Sequence, residues 1–352
     1  DAVVALNVLK DFQYEEGKDV VPSKRIVEME VSYNKMGVFK NSYRAYLLFG
    51  VLSLLIFFIK IFIRPGAKAH NVFKWVTRVI FALSAIVFVY HGYGLYMRWM
   101  ISGHAPWSNG YEAVVFIAWA TMLTGLLLSR RNGVILAGTA ILASLMIFVT
   151  EMNLMDPDIT PLQPVLKSYW LMIHVAIITG SYGPLGISCI LGILSLILYI
   201  FRTKKNGKLI GQHINELTYV SEITMTIGVF MLTIGTFLGG IWANESWGRY
   251  WGGDPKETWA LVAVLTYAVI LHFRYIPGMK GKFLFNAVSM WGYASILFTF
   301  FGVNFYLVGL HSYAQGEGLA KIPMSLIYTV IAFTLFTVIA AIRNYQYKKG
   351  NA

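Results

Sequence analysis

Nine apolar runs, each long enough to cross a bilayer, fall near 45–63, 74–96, 111–129, 133–151, 169–201, 221–242, 255–273, 284–308 and 322–342. A hydrocarbon core about 30 Å thick is crossed by roughly 20 apolar residues in a helix. The sequence therefore predicts an all-α polytopic membrane protein of about nine transmembrane helices, with a tryptophan-rich loop outside the cytoplasm. A chain that is 57% hydrophobic and 13% charged, with mean hydropathy +0.60, cannot hide its apolar surface in one soluble core.

Basic residues orient such helices, because loops rich in lysine and arginine stay on the cytoplasmic side. The loops at 64–78, 130–132, 202–219 and 273–282 and the tail at 343–352 carry sixteen of them, against five at 97–110, 152–168, 243–258 and 309–321. All nine spans agree on one topology, with the N-terminal segment and the tryptophan loop outside and the C-terminus inside. Most of the +12 net charge is thus an orientation signal, and nucleic acid is not an expected partner. Cys189, the only cysteine, lies within an apolar span, so this chain can build no disulfide and no thiolate metal site.

Residues 1–42 differ in character, with six basic and seven acidic residues and no membrane-length run. Arg25–Tyr33 alternates well enough for a β-strand. A lone strand is unstable, so it is expected to complete a sheet of an upstream domain or a partner chain. Residues 43–345 read as one helical bundle and 346–352 as a cytoplasmic tail. The first residue is Asp and no cleavable signal is present, which reads as a fragment or the later part of a longer polypeptide.

Between Trp242 and Trp259 the chain places four tryptophans and Tyr250 in eighteen residues. An interfacial aromatic belt is one explanation. A flat, mostly apolar, doubly anionic ligand such as haem is another, with indoles as a stacking wall and Arg249 or Lys256 meeting its carboxylates. Two helix starts are also legible: Asp254-Pro255-Lys256-Glu257 reads as an N-cap, a proline at the first position and an acid that reaches back, and Asn109 with Glu112 reads the same way.

Imidazole is the usual ligand of haem iron, and buried ionisable groups are costly in a membrane. His174, about one turn inside its span, and His311, just beyond the end of another, share the depth of the tryptophan loop, where two neutral imidazoles could hold one iron. His272 lies roughly 25 Å deeper at about 1.5 Å per residue, so it cannot share that iron and needs a partner ligand from elsewhere. His91 is a weaker candidate at the outer level. His70, His104 and His213 fall in loops and are expected to be solvated.

Trp247-Gly-Arg-Tyr-Trp251 followed by Asp254-Pro-Lys-Glu-Thr-Trp259 resembles the tryptophan-rich signature of haem-handling proteins in cytochrome c maturation. The pieces Leu166-Lys-Ser-Tyr-Trp-Leu-Met-Ile-His174, Leu271-His-Phe-Arg274, Gly302-Val-Asn-Phe through His311-Ser-Tyr-Ala, and Gly103-His-Ala-Pro-Trp-Ser-Asn-Gly-Tyr-Glu112 are similar to the CcsA/ResC branch. That resemblance covers about 70–345, while 1–63 resembles the end of a ResB/CcsB half, as in fused versions of the two.

The resemblance implies a haem exporter and cytochrome c synthase in the inner membrane, attaching haem b on the periplasmic side to the CxxCH motif of apocytochrome c. His174 and His311 become the outer axial ligands, and Trp242, Trp247, Tyr250, Trp251, Asp254 and Trp259, with Arg249 and Lys256, become the haem platform. His272 becomes the ligand of a transmembrane haem site whose second histidine belongs to the ResB/CcsB half. A thiol-reducing partner is implied as well. One departure is Gly253, where the signature normally has a third tryptophan. The alternatives are a b-type respiratory subunit, which needs a ligand pair at each depth, and a cofactor-free transporter whose tryptophans form only a belt.

Overall fold

The computed structural model describes residues 1–62, 68–129, 133–152, 155–160, 168–309 and 322–350, without the side chains of 61–62 and 68–70. Each apolar run lies on a helix: α3 (Val38–Phe62), α4 (Lys68–Ser102), α5 (Gly110–Leu128), α6 (Gly133–Glu151), α7 (Tyr169–Phe201), α8 (Gly207–Trp247), α9 (Pro255–His272), α10 (Lys282–Leu297) and α12 (Met324–Lys349). Two short helices precede them, α1 (Ala2–Glu16) and α2 (Lys24–Met36), and α10 continues through a π-helical turn, Phe298–Gly302, into α11 (Val303–Tyr306). Among the described residues nine helices are long and apolar enough to cross a membrane, and there is no strand. The protein is an all-α, multi-span membrane protein.

The spans alternate in direction, so the connections 103–109, 248–254 and 307–309 share one end of the bundle, the tryptophan end. The connection 202–206 and the short segment 276–281 share the other, basic end. Helices α7 and α8 pack along each other more extensively than any other pair, with α5, α6, α10 and α12 also packed against α7. One buried cluster, including Tyr182, Leu185, Leu232, Tyr267 and Tyr293, lies where α7, α8, α9 and α10 meet.

Two expectations need correction. Arg25–Tyr33 is helical, not a strand, and it completes no sheet: Ile26, Met29, Tyr33 and Met36 form the more buried face of α2 at spacings of three and four, so the helical period prevails over the apparent alternation. Helix α2 packs on α4, where Tyr90 donates to the Met36 carbonyl at 3.2 Å, and it is set off from α3 by Gly37 in the left-handed region (φ 52°). Most of the supposed loop at 202–219 is also helix, because α8 begins at Gly207, about 20 Å of helix before the apolar run at about 1.5 Å per residue.

Candidate functional site

At the tryptophan end, the ends of α5, α7, α8 and α9 and the π-helical turn surround a cavity of about 360 Å³. Small-molecule sites typically span about 300–1,000 Å³. Its wall is largely apolar, with the rings of Trp107, Trp242, Trp247, Tyr250, Trp251 and Phe300 in it, and it carries a few polar groups, among them His174, Lys256, Asn304 and Ser108.

His174 projects from α7 against α8. Its Nδ1 lies 2.6 Å from the Gly235 carbonyl oxygen, which can only accept, so Nδ1 carries the proton and the ring's lone pair sits on Nε2. Metal-binding imidazoles are commonly oriented in this way. The approach depends on Gly239, where an added Cβ would stand 2.6 Å from His174 Cε1. A larger residue there would displace the ring.

The supposed tryptophan loop is shorter than the sequence suggests. Trp242 and Trp247 belong to the last turns of α8, edge to face at 4.8 Å, and Gly248 ends that helix in the left-handed region (φ 71°). Only residues 248–254 are non-helical, and they hold Tyr250 and Trp251 at the exposed rim. The capping reading holds: Asp254 accepts from the Lys256 amide at 3.0 Å, Glu257 accepts from the Gly252 and Asp254 amides at 2.8 and 3.3 Å, and Pro255 opens α9. Asp254 therefore shapes the rim and lies outside the cavity wall.

Of the two candidate cations, Lys256 lines the cavity and donates to Asn304 Oδ1 at 2.9 Å. Arg249 folds against Gly252 outside it. Trp259 packs on Phe298 with ring centres 4.1 Å apart and is not part of the wall. The π-helical turn brings Thr299 and Phe300 to the wall, with Asn304 just beyond. Such turns recur at functional sites, but no sequence pattern announced this one.

The remaining histidines fall into distinct settings. His311 lies outside the described residues, although Gly309, two residues before it, packs on the Asp254 carboxylate at the rim. His272 is exposed near the opposite end, its Nδ1 held at 2.7 Å by the Ala268 carbonyl, close to the Arg274–Glu222 ion pair. His91 is buried beside Tyr46 and Phe39 and does not reach the cavity. His213 packs on Phe57 with Glu216 at 3.4 Å, and the His70 side chain is outside the described residues.

His104 is not solvated as expected. It is 8% exposed, with Nε2 at 3.2 Å from the Thr160 carbonyl and Nδ1 at 2.9 Å from Ser108 Oγ. Arg98, one of the five outer basic residues, has a buried role that its place in the sequence does not announce. Arg98 and Glu112 are each about 1% exposed and share two hydrogen bonds at 3.1 and 3.0 Å, while Arg98 also donates to Tyr33 and to the Pro157 carbonyl. Glu112 accepts from the Ser108 amide as well, so the pair ties α2, α4, α5 and the segment 156–160 to the cavity wall. The short spacing from Gly103 to Glu112 was the only available hint.

Among the described residues no three histidine, cysteine or acidic side chains converge as a metal-ion cage. The donors suit a different ligand: an imidazole with an oriented lone pair, indole faces for an apolar disc, and an ammonium for a carboxylate.

Residues 107–311 match the family described as cytochrome C assembly protein. NrfI of Wolinella succinogenes is 43% identical over 318 residues, covering 90% of this chain and 34% of that protein. CcsA of Chlamydomonas reinhardtii is 38% identical over 228 residues, covering 62% of this chain and 64% of that protein. CcsA of Prochlorococcus marinus (strain MIT 9301) is 33% identical over 294 residues, covering 75% of this chain and 93% of that protein. The chain thus spans 34% of the length of NrfI and slightly less than two thirds of the algal CcsA.

Proposed function

The chain belongs to the cytochrome c assembly protein family, and we propose that its tryptophan-end cavity receives haem b on the outer face of the inner membrane and presents it for covalent attachment to apocytochrome c. The observation that carries this reading is His174: a proton-fixed imidazole beside the aromatic wall, with Lys256 lining the same cavity. Charge asymmetry supports the orientation, since the opposite end is the basic one.

In this reading His174 and His311 hold the haem iron from two sides. Trp242, Trp247, Tyr250 and Trp251 cover the macrocycle, and Lys256, steadied by Asn304, meets a propionate. Trp259, Asp254 and Arg249 support the rim without facing the ligand. Haem supplies the vinyl groups that become thioethers, and the protein's contribution is positioning: two reduced peptide thiols are brought to a ligand already oriented. The peptide's own histidine then replaces one of the holding imidazoles. The activity is that of a cytochrome c synthase, served by a thiol-reducing partner.

His272 belongs to a second, transmembrane haem site on the export route. Its exposed position, with Nδ1 tied to a backbone carbonyl, suits a partner ligand supplied by a ResB/CcsB-like half, fused or separate. The b-type relay is less well supported, because among the described side chains His272 is the one imidazole at that level. The test is co-expression of the complete protein with a CxxCH reporter: covalently attached haem is the expected product, and a reporter that stays apo despite ample haem would overturn the reading.

A further inference from the structure

The turn from Gly103 to Asn109 holds a hydrogen-bonded pair that haem clamping does not use. The Thr160 carbonyl facing His104 Nε2 at 3.2 Å can only accept, so Nε2 carries a proton, and in the neutral ring Nδ1, which lies between Ser108 Oγ and the Ala105 carbonyl, bears the lone pair. Ser108 Oγ stands 2.9 Å from that Nδ1, and Ser108 is part of the cavity wall. The Ser108 hydroxyl at the cavity surface is thus shared between the Ala105 carbonyl at 2.8 Å and a buried imidazole whose far nitrogen is oriented by a third group, and it can turn its proton to either. Activated hydroxyls are built in this way.

The surroundings serve both protonation states of His104. In the neutral ring, Ser108 donates to Nδ1. In the protonated ring, Nδ1 donates to Ser108 Oγ or to the Ala105 carbonyl at 3.2 Å, and Ser108 turns its own proton to Ala105 O at 2.8 Å. Every polar atom of the pair keeps a partner in either state. The charged groups around it are Glu112 from α5, which accepts the Ser108 amide, and Arg98 from α4, which pairs with Glu112 and contacts Tyr33 from α2. The segment 156–160 faces the pair through backbone carbonyls, that of Thr160 on His104 and those of Pro157 and Asp158 on Arg98.

We propose that Ser108 and His104 form a proton relay into the cavity, through which a cysteine thiol of the peptide substrate loses its proton as it adds to a haem vinyl group. This rests on the haem-attachment reading. The thiol proton passes to Ser108 Oγ while the Ser108 proton passes to His104 Nδ1. The sulfur electron pair forms the C–S bond at the vinyl carbon next to the macrocycle, and the displaced π pair takes a proton from the relay at the terminal carbon, which becomes a methyl group. The net change is addition of S–H across C=C, with nothing oxidised, reduced or expelled. Ser108 is the group that touches the substrate, and His104 acts behind it.

Haem-loaded full-length protein in nanodiscs, mixed with a reduced CxxCH peptide, provides the test through single-turnover attachment rates across pH. Ser108→Ala should slow attachment about 100-fold, at the lower end of what positioned proton transfer contributes, with the haem spectrum unchanged. Ser108→Thr should restore most of the rate. His104→Gln should remove one limb of the pH profile. On haem-free protein, ¹⁵N resonances of labelled histidine, assigned with His104→Gln, should show a protonated Nε2 and a bare Nδ1 that shifts in Ser108→Ala. An unchanged rate and pH profile in Ser108→Ala, or a protonated Nδ1 in the neutral ring, would overturn the relay. Wild-type protein that binds haem yet attaches none would instead overturn the attachment reading, whatever residue stands at 108.

Discussion

At the tryptophan end His174 stands inside an aromatic cavity with its Nδ1 on a neighbouring helix, whereas near the basic end His272 stands on the surface of α9 with its Nδ1 on its own preceding turn. The ion pairs divide in the same way: Arg98–Glu112 is sealed from solvent, while Arg274–Glu222 has side chains 52% and 31% exposed. One end is organised by contacts between helices of this chain, and the other presents its polar groups outward. Helices of this chain enclose the space beside His174, whereas a ligand on His272 would lie at the surface of α9.

The strongest challenge to that contrast is Arg98→Leu. Breaking a buried pair leaves an uncompensated carboxylate and costs about 3–5 kcal/mol, which thermal unfolding in detergent would register as a lower midpoint. Arg98→Leu with Glu112→Leu should recover most of the loss. Lys256→Met comes next: a hydrogen bond to a charged group contributes about 1.5–3 kcal/mol, so haem retention measured by competition should fall roughly ten- to a hundredfold with the fold intact. Retention unaffected by Lys256→Met would leave the propionates facing elsewhere.

Gly253 tests the rim on a smaller scale. Its φ is +68°, in the left-handed region, and nothing lies within 4 Å of where a Cβ would stand. Gly253→Ala should therefore cost roughly 1–2 kcal/mol through backbone strain alone, visible as faster hydrogen exchange in 248–254. The same geometry gives a physical reason for glycine where the signature normally has tryptophan. Smallest of all is Glu222→Gln at the basic end, where a partly exposed pair contributes about 0–1 kcal/mol. A loss as large as that of Arg98→Leu would erase the distinction between the two ends.

The long apolar runs made the nine spans legible, because membrane-length hydrophobicity admits few alternatives. Cap chemistry located the starts of α5 and α9 at Asn109 and Asp254. Where hydrophobicity faded, legibility faded with it: the polar start of α8 looked like loop, and in α2 a short stretch matched both periods until packing on α4 selected the helix. The site was readable in its residue types and only partly in its geometry. Sequence position could not show that Trp259 turns toward Phe298, that Arg249 lies outside the cavity, or that His104 is buried, since each depends on contacts with distant segments.

The central claim is that His174 is an axial ligand of haem held at the tryptophan end. Absorption and electron paramagnetic resonance spectra of the purified, haem-loaded protein test it directly, with His272→Ala present throughout to remove any signal from the other end. The account predicts a six-coordinate, low-spin haem that His174→Ala abolishes and added imidazole restores. An unchanged low-spin spectrum in the double variant would contradict it.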